Sequence, residues 1–165
     1  MSIINIGSEA INRPQSATPN YTRIIKENPA TDSGVITSIE IWGTIDLLNC
    51  EVAIFNEVES NIFTTRDNVL IGTVPSGAKR TFEVNLDVRS GDYIGLYYSN
   101  GQIECNSSGG QGFWYESGDI IPCTYHLFSS FLSGYTLSLC GIGETVPPLP
   151  KDSARTGIYI FKTLQ

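Results

Sequence analysis

The apolar residues of this chain recur with a period of two, and this pattern constrains its fold more than any other feature. It is clearest in RTFEVNLDV, where every second residue is apolar: Phe82, Val84, Leu86 and Val88. Successive side chains of a strand point to opposite faces of a sheet. The pattern therefore predicts a half-buried strand with these four side chains facing inward.

A similar pattern occurs in the segment GVITSIEIWG. Val35, Ile39 and Ile41 are predicted to share one face of this strand, opposite Ile36 and Trp42. As with the first segment, apolar residues on a regular spacing favour a strand over a loop.

Turn signals separate such segments at intervals of about 8–12 residues, which is typical of β-sandwiches. The pair Asn100-Gly101 is the strongest signal for a tight hairpin. No segment keeps a helical apolar period for three turns. The sequence therefore predicts one all-β domain, an antiparallel β-sandwich of jelly-roll-like form, over residues 1–143.

The charge balance argues against several classes of partner. The 165-residue chain has 17 acidic and 10 basic side chains, a net charge of −7, and its basic residues form no cluster. Nucleic acid and anionic membranes attract clustered cations, so neither is expected as a partner. The chain begins without a basic and apolar signal region and has no apolar run of 18 residues, so neither a secretory signal nor a membrane span is expected.

The composition changes after residue 143, and we predict that residues 144–165 form a separate tail. ETVPPLPKDSAR is rich in proline and typical of a semi-rigid spacer; its 12 residues reach on the order of 35 Å when extended. A strand pattern then resumes, with alternation over Ile158, Tyr159, Ile160 and Phe161. This strand either completes the chain's own sheet or adds to a neighbouring subunit. We predict that it contributes to contacts between subunits.

Residues suited to catalysis are sparse. His126 is the only histidine, and no nucleophile motif accompanies it. Glu104, Glu116 and Asp119 are close in sequence but are expected to be solvated loop residues. Calcium-loop and phosphate-loop motifs do not occur either. We therefore expect no enzymatic activity, no cofactor and no metal.

The four cysteines, at positions 50, 105, 123 and 140, lack the spacing of a zinc site. We expect mostly free, partly buried thiols. A disulfide between Cys105 and Cys123 is the alternative.

The stretch QIECNSSGGQGFWYESGDIIPC combines glycines, aromatic residues and acids. It is predicted to form a strand, a glycine-rich loop and a second strand at one end of the sandwich. Exposed Trp and Tyr rings can stack on sugars, so the candidate ligand-binding residues are Phe113, Trp114, Tyr115 and Glu116. The alternative is that these rings pack in the core.

Several segments follow one another in an order that resembles a β-sandwich domain of predicted phage and virus structural proteins. The most specific are NPATDSGVITSIEIW and SGDYIGLYYSNGQIE, and the resemblance covers residues 5–143. It implies a role in a virion or surface structure, often as an oligomer or as a module of a longer fibre. It brings no catalytic motif with it.

Two functions are therefore expected. The first is a non-enzymatic virion structural protein, such as a capsid decoration protein or a fibre subunit, which is assembled in the host cytoplasm and binds copies of itself or other virion proteins. The second is a carbohydrate-binding adhesion module that recognises a surface glycan. A virion structural protein would use the tail and the sheet edges for its contacts. A carbohydrate-binding module would use an exposed aromatic face near residues 113–115.

Overall fold

The computed structural model describes residues 1–146, and every regular element in that range is a β-strand. The eleven strands are β1 Ile3–Gly7, β2 Gln15–Ala17, β3 Tyr21–Ile25, β4 Gly34–Glu59, β5 Ile62–Val74, β6 Lys79–Val88, β7 Tyr93–Tyr97, β8 Asn100–Ser117, β9 His126–Leu127, β10 Ser130–Leu137 and β11 Leu139–Thr145. All of their pairings are antiparallel, so the predicted all-β class is confirmed. Within residues 1–146 there is no helix of the length and apolarity that a membrane crossing requires.

The strands form two sheets that share the 26-residue strand β4. The small sheet has the order β1-β11-β4-β6 and uses the first part of β4. The large sheet has the order β9-β5-β4-β7-β3-β8-β10 and uses the second part, and β2 also pairs with β8. Because β4 passes from one sheet to the other, it joins the two layers covalently.

The main core fills the space between the inner faces of the two sheets. Ile39 and Ile41 reach it from the small sheet and Ile54 and Leu96 from the large one, and all four are fully buried. Two sheets facing each other across one apolar layer are the arrangement of a β-sandwich. The antiparallel sandwich is thus as predicted, while its jelly-roll form stays a prediction.

Strand β6 has the alternation that its sequence predicts. Its inward side chains are partly buried at Phe82 and Val84 and fully buried at Leu86 and Val88, while the side chains between them are exposed. Burial deepens towards the end of the strand, so Leu86 and Val88 are its main contribution to the core.

The prediction that Ile36 lies opposite Ile39 and Ile41 is wrong, because all three side chains are fully buried in the main core. The pairing register of β4 shifts between Ile36 and Ser38 against both neighbouring strands. Such a β-bulge offsets the alternation by one position and brings Ile36 to the inward face.

The predicted strand, loop and second strand around the glycines are instead one continuous strand, β8. Its register against β10 shifts on both sides of Gly134, and Gly109 and Gly112 have φ of 85° and 95°. A Cβ on Gly112 would collide with the backbone of Leu132 on β10. The glycines therefore allow a bulged strand to stay close to its neighbour.

The hairpin predicted at Asn100-Gly101 is wrong as well. Strand β7 lies between β4 and β3, and β8 begins with Asn100 paired to Leu48 of β4. Gly101 does have a positive φ of 92°, as expected of a turn residue. The turn leads the chain to a different neighbour, so the two flanking strands do not pair.

A second apolar cluster covers the outer face of the large sheet. We call it the aromatic cluster, and its buried members are Ile24, Ala53, Phe55, Phe63, Trp114, Ile121 and Phe128. Ile121 and Phe128 belong to the segment 118–129, which connects β8 to β10 and covers this face. The large sheet is therefore buried on both faces over this area.

Strand β11 continues past the predicted boundary at residue 143 to Thr145, where it pairs with Gly34 of β4. The rest of the predicted tail, with Ile158, Tyr159, Ile160 and Phe161, lies outside the described residues.

Candidate functional site

A cavity beside the predicted ligand-binding residues lies between strands β3, β8 and β10. Its volume is about 180 Å³, and its lining residues are Thr18, Tyr21, Arg23, Phe113, Tyr115 and Leu132. We call it the Arg23 cavity. Drug-sized ligands occupy cavities of roughly 300–1,000 Å³, so the Arg23 cavity is suited to one small ring or group.

The register of three neighbouring strands brings the lining residues together. Arg23 of β3 pairs directly with Tyr115 of β8, and Phe113 pairs with Leu132 of β10 on the other side. Tyr21 and Arg23 are two positions apart on β3, so both point to the same face of the sheet. Phe113 belongs to the main core, and the cavity therefore opens at the edge of the inner layer.

Among the described residues, Arg23 is the only charged one that lines the cavity, and just 5% of its surface is exposed. Arginine is almost never buried to this extent unless it is paired with an acid. Within residues 1–146, however, Arg23 has no salt bridge, and its one side-chain hydrogen bond donates from Nη1 to Tyr98 Oη at 3.2 Å. Its buried Nε has no hydrogen-bond acceptor in that range either.

Aromatic rings surround the Arg23 guanidinium instead of carboxylates. Its central carbon lies 5.2 Å from the ring centroid of Tyr21, 5.4 Å from that of Phe113 and 5.8 Å from that of Tyr98. Cation–π attraction of this kind partly offsets the loss of hydration, by about 0.5–2 kcal/mol for each favourable pair. It does not use the N–H donors of the guanidinium, because they lie in the plane of that group.

Tyr98 supports Arg23 from the core side. Burial raises the pKa of Tyr98 to about 12, with the Arg23 charge acting in the opposite direction, so the phenol stays neutral at physiological pH. Its hydroxyl donates to the carbonyl of Ala17 at 2.6 Å and accepts from Arg23. Tyr98 thus fixes the position of the guanidinium without neutralising its charge.

The structure separates the four predicted ligand-binding residues. Phe113 and Trp114 are only 4% and 6% exposed, so the predicted exposed aromatic face does not include them. Tyr115 is partly exposed and lines the Arg23 cavity. Glu116 accepts hydrogen bonds from the backbone and the hydroxyl of Ser129, at 2.8 and 2.9 Å, and so holds the covering segment 118–129.

Trp114 has a packing role in the aromatic cluster. Its ring lies edge-to-face against Phe63, with centroids 4.9 Å apart, and its Nε1 donates to Asn61 Oδ1 at 2.8 Å. A buried indole with a satisfied N–H is not available to stack on a sugar. For Trp114, the alternative of core packing is the one that the structure supports.

The acidic residues between 102 and 123 do not form one site. Glu104 is buried and accepts a hydrogen bond from Thr44 Oγ1 at 3.1 Å. Asp119 instead lies near Glu51 of β4, where burial and the Asp119 carboxyl raise the pKa of Glu51 to about 7. Within residues 1–146, no three His, Cys, Asp or Glu side chains come together as a metal site.

The four cysteines all lie among residues 1–146, and no disulfide joins them. Cys105 lies in the main core, whereas Cys123 packs against the aromatic cluster on the other side of the large sheet. The alternative of a Cys105–Cys123 bridge is therefore wrong. His126 begins β9 and packs against Phe128 at 5.3 Å between ring centroids.

Sequence reasoning missed Arg23 and Tyr21, although YTRII contains a signal for them. Tyr21, Arg23 and Ile25 occupy alternate positions of one strand, so Arg23 falls on the same face as a core isoleucine. A cation at an inward position of a strand is unusual enough to indicate a site.

No protein-family model matches this chain, and no curated protein matches it.

Proposed function

We propose that this chain is a non-enzymatic structural subunit of a virion surface, a capsid decoration protein or a fibre subunit, whose copies join through strand addition. In this proposal the tail of one copy, residues 147–165, adds to strand β10 of the next copy. The resemblance to phage and virus structural proteins supports the setting, and the properties of the sheet edges support the mode of assembly.

The proposal rests on strand β10, an uncharged edge strand with exposed apolar side chains. Among residues 1–146 it forms one edge of the large sheet and pairs only with β8, and its eight residues, SFLSGYTL, carry no charge. Phe131 and Leu132 are 41% and 38% exposed on it. A long, uncharged edge strand with exposed apolar side chains is a ready template for another strand.

The other edges of the described sheets are protected. Strand β6 presents exposed Lys79, Glu83 and Asp87, and charges on an edge oppose strand addition. Strand β1 is covered by Asn28, whose Nδ2 donates to the carbonyls of Asn5 and Gly7, both at 3.3 Å.

On the large sheet, β5 carries Arg66 and Asp67, and its Thr65 N–H donates to the carbonyl of Cys123 at 2.9 Å. The remaining strands at sheet edges, β2 and β9, have three and two residues. Protection of the other edges leaves β10 as the acceptor.

The tail has the composition that such an edge requires. It contains the apolar segment GIYIF after a proline-rich spacer, and apolar alternation is typical of a strand. A spacer that reaches on the order of 35 Å can cross to a neighbouring copy. Strand addition of this type derives its affinity from main-chain hydrogen bonds and its specificity from alternate side chains.

Two matched lysine substitutions test β10 as the acceptor. Ser133→Lys adds a charge to β10, and Thr81→Lys adds the same charge to the protected strand β6; both positions are exposed. We expect Ser133→Lys to raise the concentration for half-assembly by about tenfold, which is about 1.4 kcal/mol. Thr81→Lys should leave it unchanged. Equal effects of the two, measured by sedimentation velocity, would contradict the assignment of β10.

A carbohydrate-binding adhesion module is the second candidate function. The Arg23 cavity favours it, because Tyr21 and Tyr115 offer partly exposed rings with hydroxyl groups beside a cavity of about 180 Å³. Flat apolar faces with polar ends are the groups that bind sugar rings in proteins.

A further inference from the structure

We propose that the Arg23 cavity binds a sugar that carries a carboxylate, such as a uronic or sialic acid residue of a glycan. The proposal rests on the second candidate function and gives its ligand a chemical class. Its basis is the positive charge of Arg23, which forms no salt bridge with a carboxylate of residues 1–146.

A buried cation without a counter-ion is unfavourable unless something else compensates it. Only 5% of the surface of Arg23 is exposed, yet no carboxylate of residues 1–146 pairs with it. Leaving a charge buried and unpaired costs several kcal/mol. The aromatic rings around it supply part of the compensation. An anion in the cavity would supply the rest.

The unpaired N–H donors of the Arg23 guanidinium suit a carboxylate ligand. A guanidinium has five N–H donors, and only one hydrogen bond to the rest of the described chain is formed. Guanidinium and carboxylate groups bind through charge-assisted hydrogen bonds that are about twice as strong as neutral ones. Of the other donor atoms, Nε is buried, whereas the unpaired Nη2 is not, so Nη2 is the donor that Arg23 offers to a ligand in the cavity.

The charge around the cavity favours a monoanion. Within the part of the chain that the structure describes, Arg23 is the only cationic residue in the lining, and the whole chain has a net charge of −7. A dianion such as phosphate would need more than one cation to balance it and would be repelled by the acidic surface. One carboxylate against one guanidinium is balanced.

The walls of the cavity favour a sugar ring as the carrier of the carboxylate. Tyr21 and Tyr115 lie 5.9 Å apart between ring centroids, at 75° to each other, so one offers a face where the other offers an edge. Thr18 adds a hydroxyl, and Leu132 lines the cavity from β10. Ring stacking, hydroxyl partners and one fixed cation together match an acidic monosaccharide.

Ligand titrations of the full-length protein, followed by ligand-observed NMR, test the proposal. The ligands are glucuronate, N-acetylneuraminate, glucose, glucuronamide and acetate. At least one acidic sugar should bind. Glucuronamide and glucose should bind at least about tenfold more weakly, because they lack the charge-assisted hydrogen bond. Acetate should bind more weakly than the acidic sugar, since it has no ring to stack.

Each contrary outcome has a defined meaning. No binding of any sugar overturns the second candidate function together with this inference. Binding of glucose or glucuronamide as tight as that of glucuronate overturns only the acidic ligand and leaves a sugar site. Acetate binding as tight as that of the acidic sugars overturns the sugar and leaves an anion site.

Variants then locate the site. Arg23→Lys keeps the charge but loses the planar fork, and Arg23→Met loses both; we expect weaker binding in that order, by about tenfold or more for Arg23→Met. Since Arg23→Met can also unfold the domain, Tyr115→Ala is the second test, because Tyr115 is partly exposed. A folded Tyr115→Ala protein that binds the acidic sugar as the wild type does would overturn the assignment to this cavity. The control is Tyr125→Ala, on a 68% exposed residue outside the cavity, which should leave binding unchanged.

Discussion

At the scale of single residues, the depth of a side chain within the sandwich decides how much it contributes to the stability of the fold. Along β6 the exposed fraction of the inward side chains falls from the partly buried Val84 to Leu86, which is 1% exposed. Both side chains point to the main core, but only Leu86 is fully enclosed by it. Deleting a methyl group leaves a cavity only where neighbours surround it on all sides.

We therefore predict that Leu86→Ala lowers the free energy of unfolding by about 2–4 kcal/mol. Val84→Ala on the same strand is the matched control and should cost about 1 kcal/mol or less, because the residue is partly solvated. Denaturant titration followed by circular dichroism measures both. A loss at position 84 that equals the loss at position 86 would show that burial does not deepen along this strand.

Glu51 gives a prediction for the dependence of stability on pH. Burial, and next the Asp119 carboxyl, raise its pKa to about 7, above the ordinary value of 4.5. Because the folded state binds this proton more tightly than the unfolded state, the stabilisation is complete below pH 4.5 and is lost as the pH rises through about 7. Since Glu51 is partly exposed, solvent screening reduces the effect to about 1 kcal/mol.

Comparison of the wild type with Glu51→Gln isolates this effect from other titrating groups. The difference in unfolding free energy between the two proteins should change by about 1 kcal/mol from pH 4.5 to pH 8, with the wild type losing stability relative to the variant. Glu83→Gln, on an exposed position of β6, is the control and should show no such change. A flat difference for Glu51→Gln would mean that its carboxyl titrates normally.

At the scale of elements, the covering segment 118–129 turns the outer face of the large sheet into a second buried layer. Asn61, in the turn between β4 and β5, connects this layer: its Oδ1 accepts from Trp114 Nε1, and its carbonyl accepts from the Phe128 N–H at 2.8 Å. Its φ of 64° is in the left-handed region, where asparagine and glycine are favoured. One residue thus links the turn, β8 and the covering segment.

Substitutions at Asn61 separate its backbone role from its side-chain role. Asn61→Gly keeps the positive φ but removes the acceptor for Trp114, and should cost about 1–2 kcal/mol. Asn61→Ala should cost more, since it adds backbone strain. Asn61→Asp keeps an acceptor and should stay near the wild type. Thermal unfolding measured by tryptophan fluorescence distinguishes the three, and equal stability of the Gly variant and the wild type would exclude a contribution from the Trp114 hydrogen bond.

Some features of the strands could be predicted from the sequence, and others could not. Alternation predicted β6 correctly, because its inward side chains keep a period of two along the whole strand, even though its register against β4 shifts between Glu83 and Leu86. It failed for Ile36, since a bulge depends on the neighbouring strands and leaves no mark in the apolar pattern. For Trp114 the sequence left exposure and core packing open, because no strand pattern predicts the covering segment, whose Ile121 and Phe128 bury the outer face. Arg23 became a candidate only when the register placed it opposite Tyr115.

At the scale of the whole molecule, we propose that the sandwich is complete by residue 146 and that the tail joins copies to one another. The described residues already contain two sheets, a closed main core and a covered outer face. The last described strand, β11, lies between β1 and β4, so it needs no further strand from the tail. The small sheet is therefore complete at β11 without the tail, and we propose that the tail connects one copy to the next.

The most direct test is the molar mass in solution of the full-length chain and of a chain that ends at residue 146, which keeps β11 intact. Light scattering after size-exclusion chromatography measures the mass, and circular dichroism confirms that the shorter chain is folded. The account predicts an assembly for the full-length chain and a folded monomer for the shorter one. A shorter chain that still forms the same assembly, or a full-length chain that is monomeric throughout the concentration range, would contradict it.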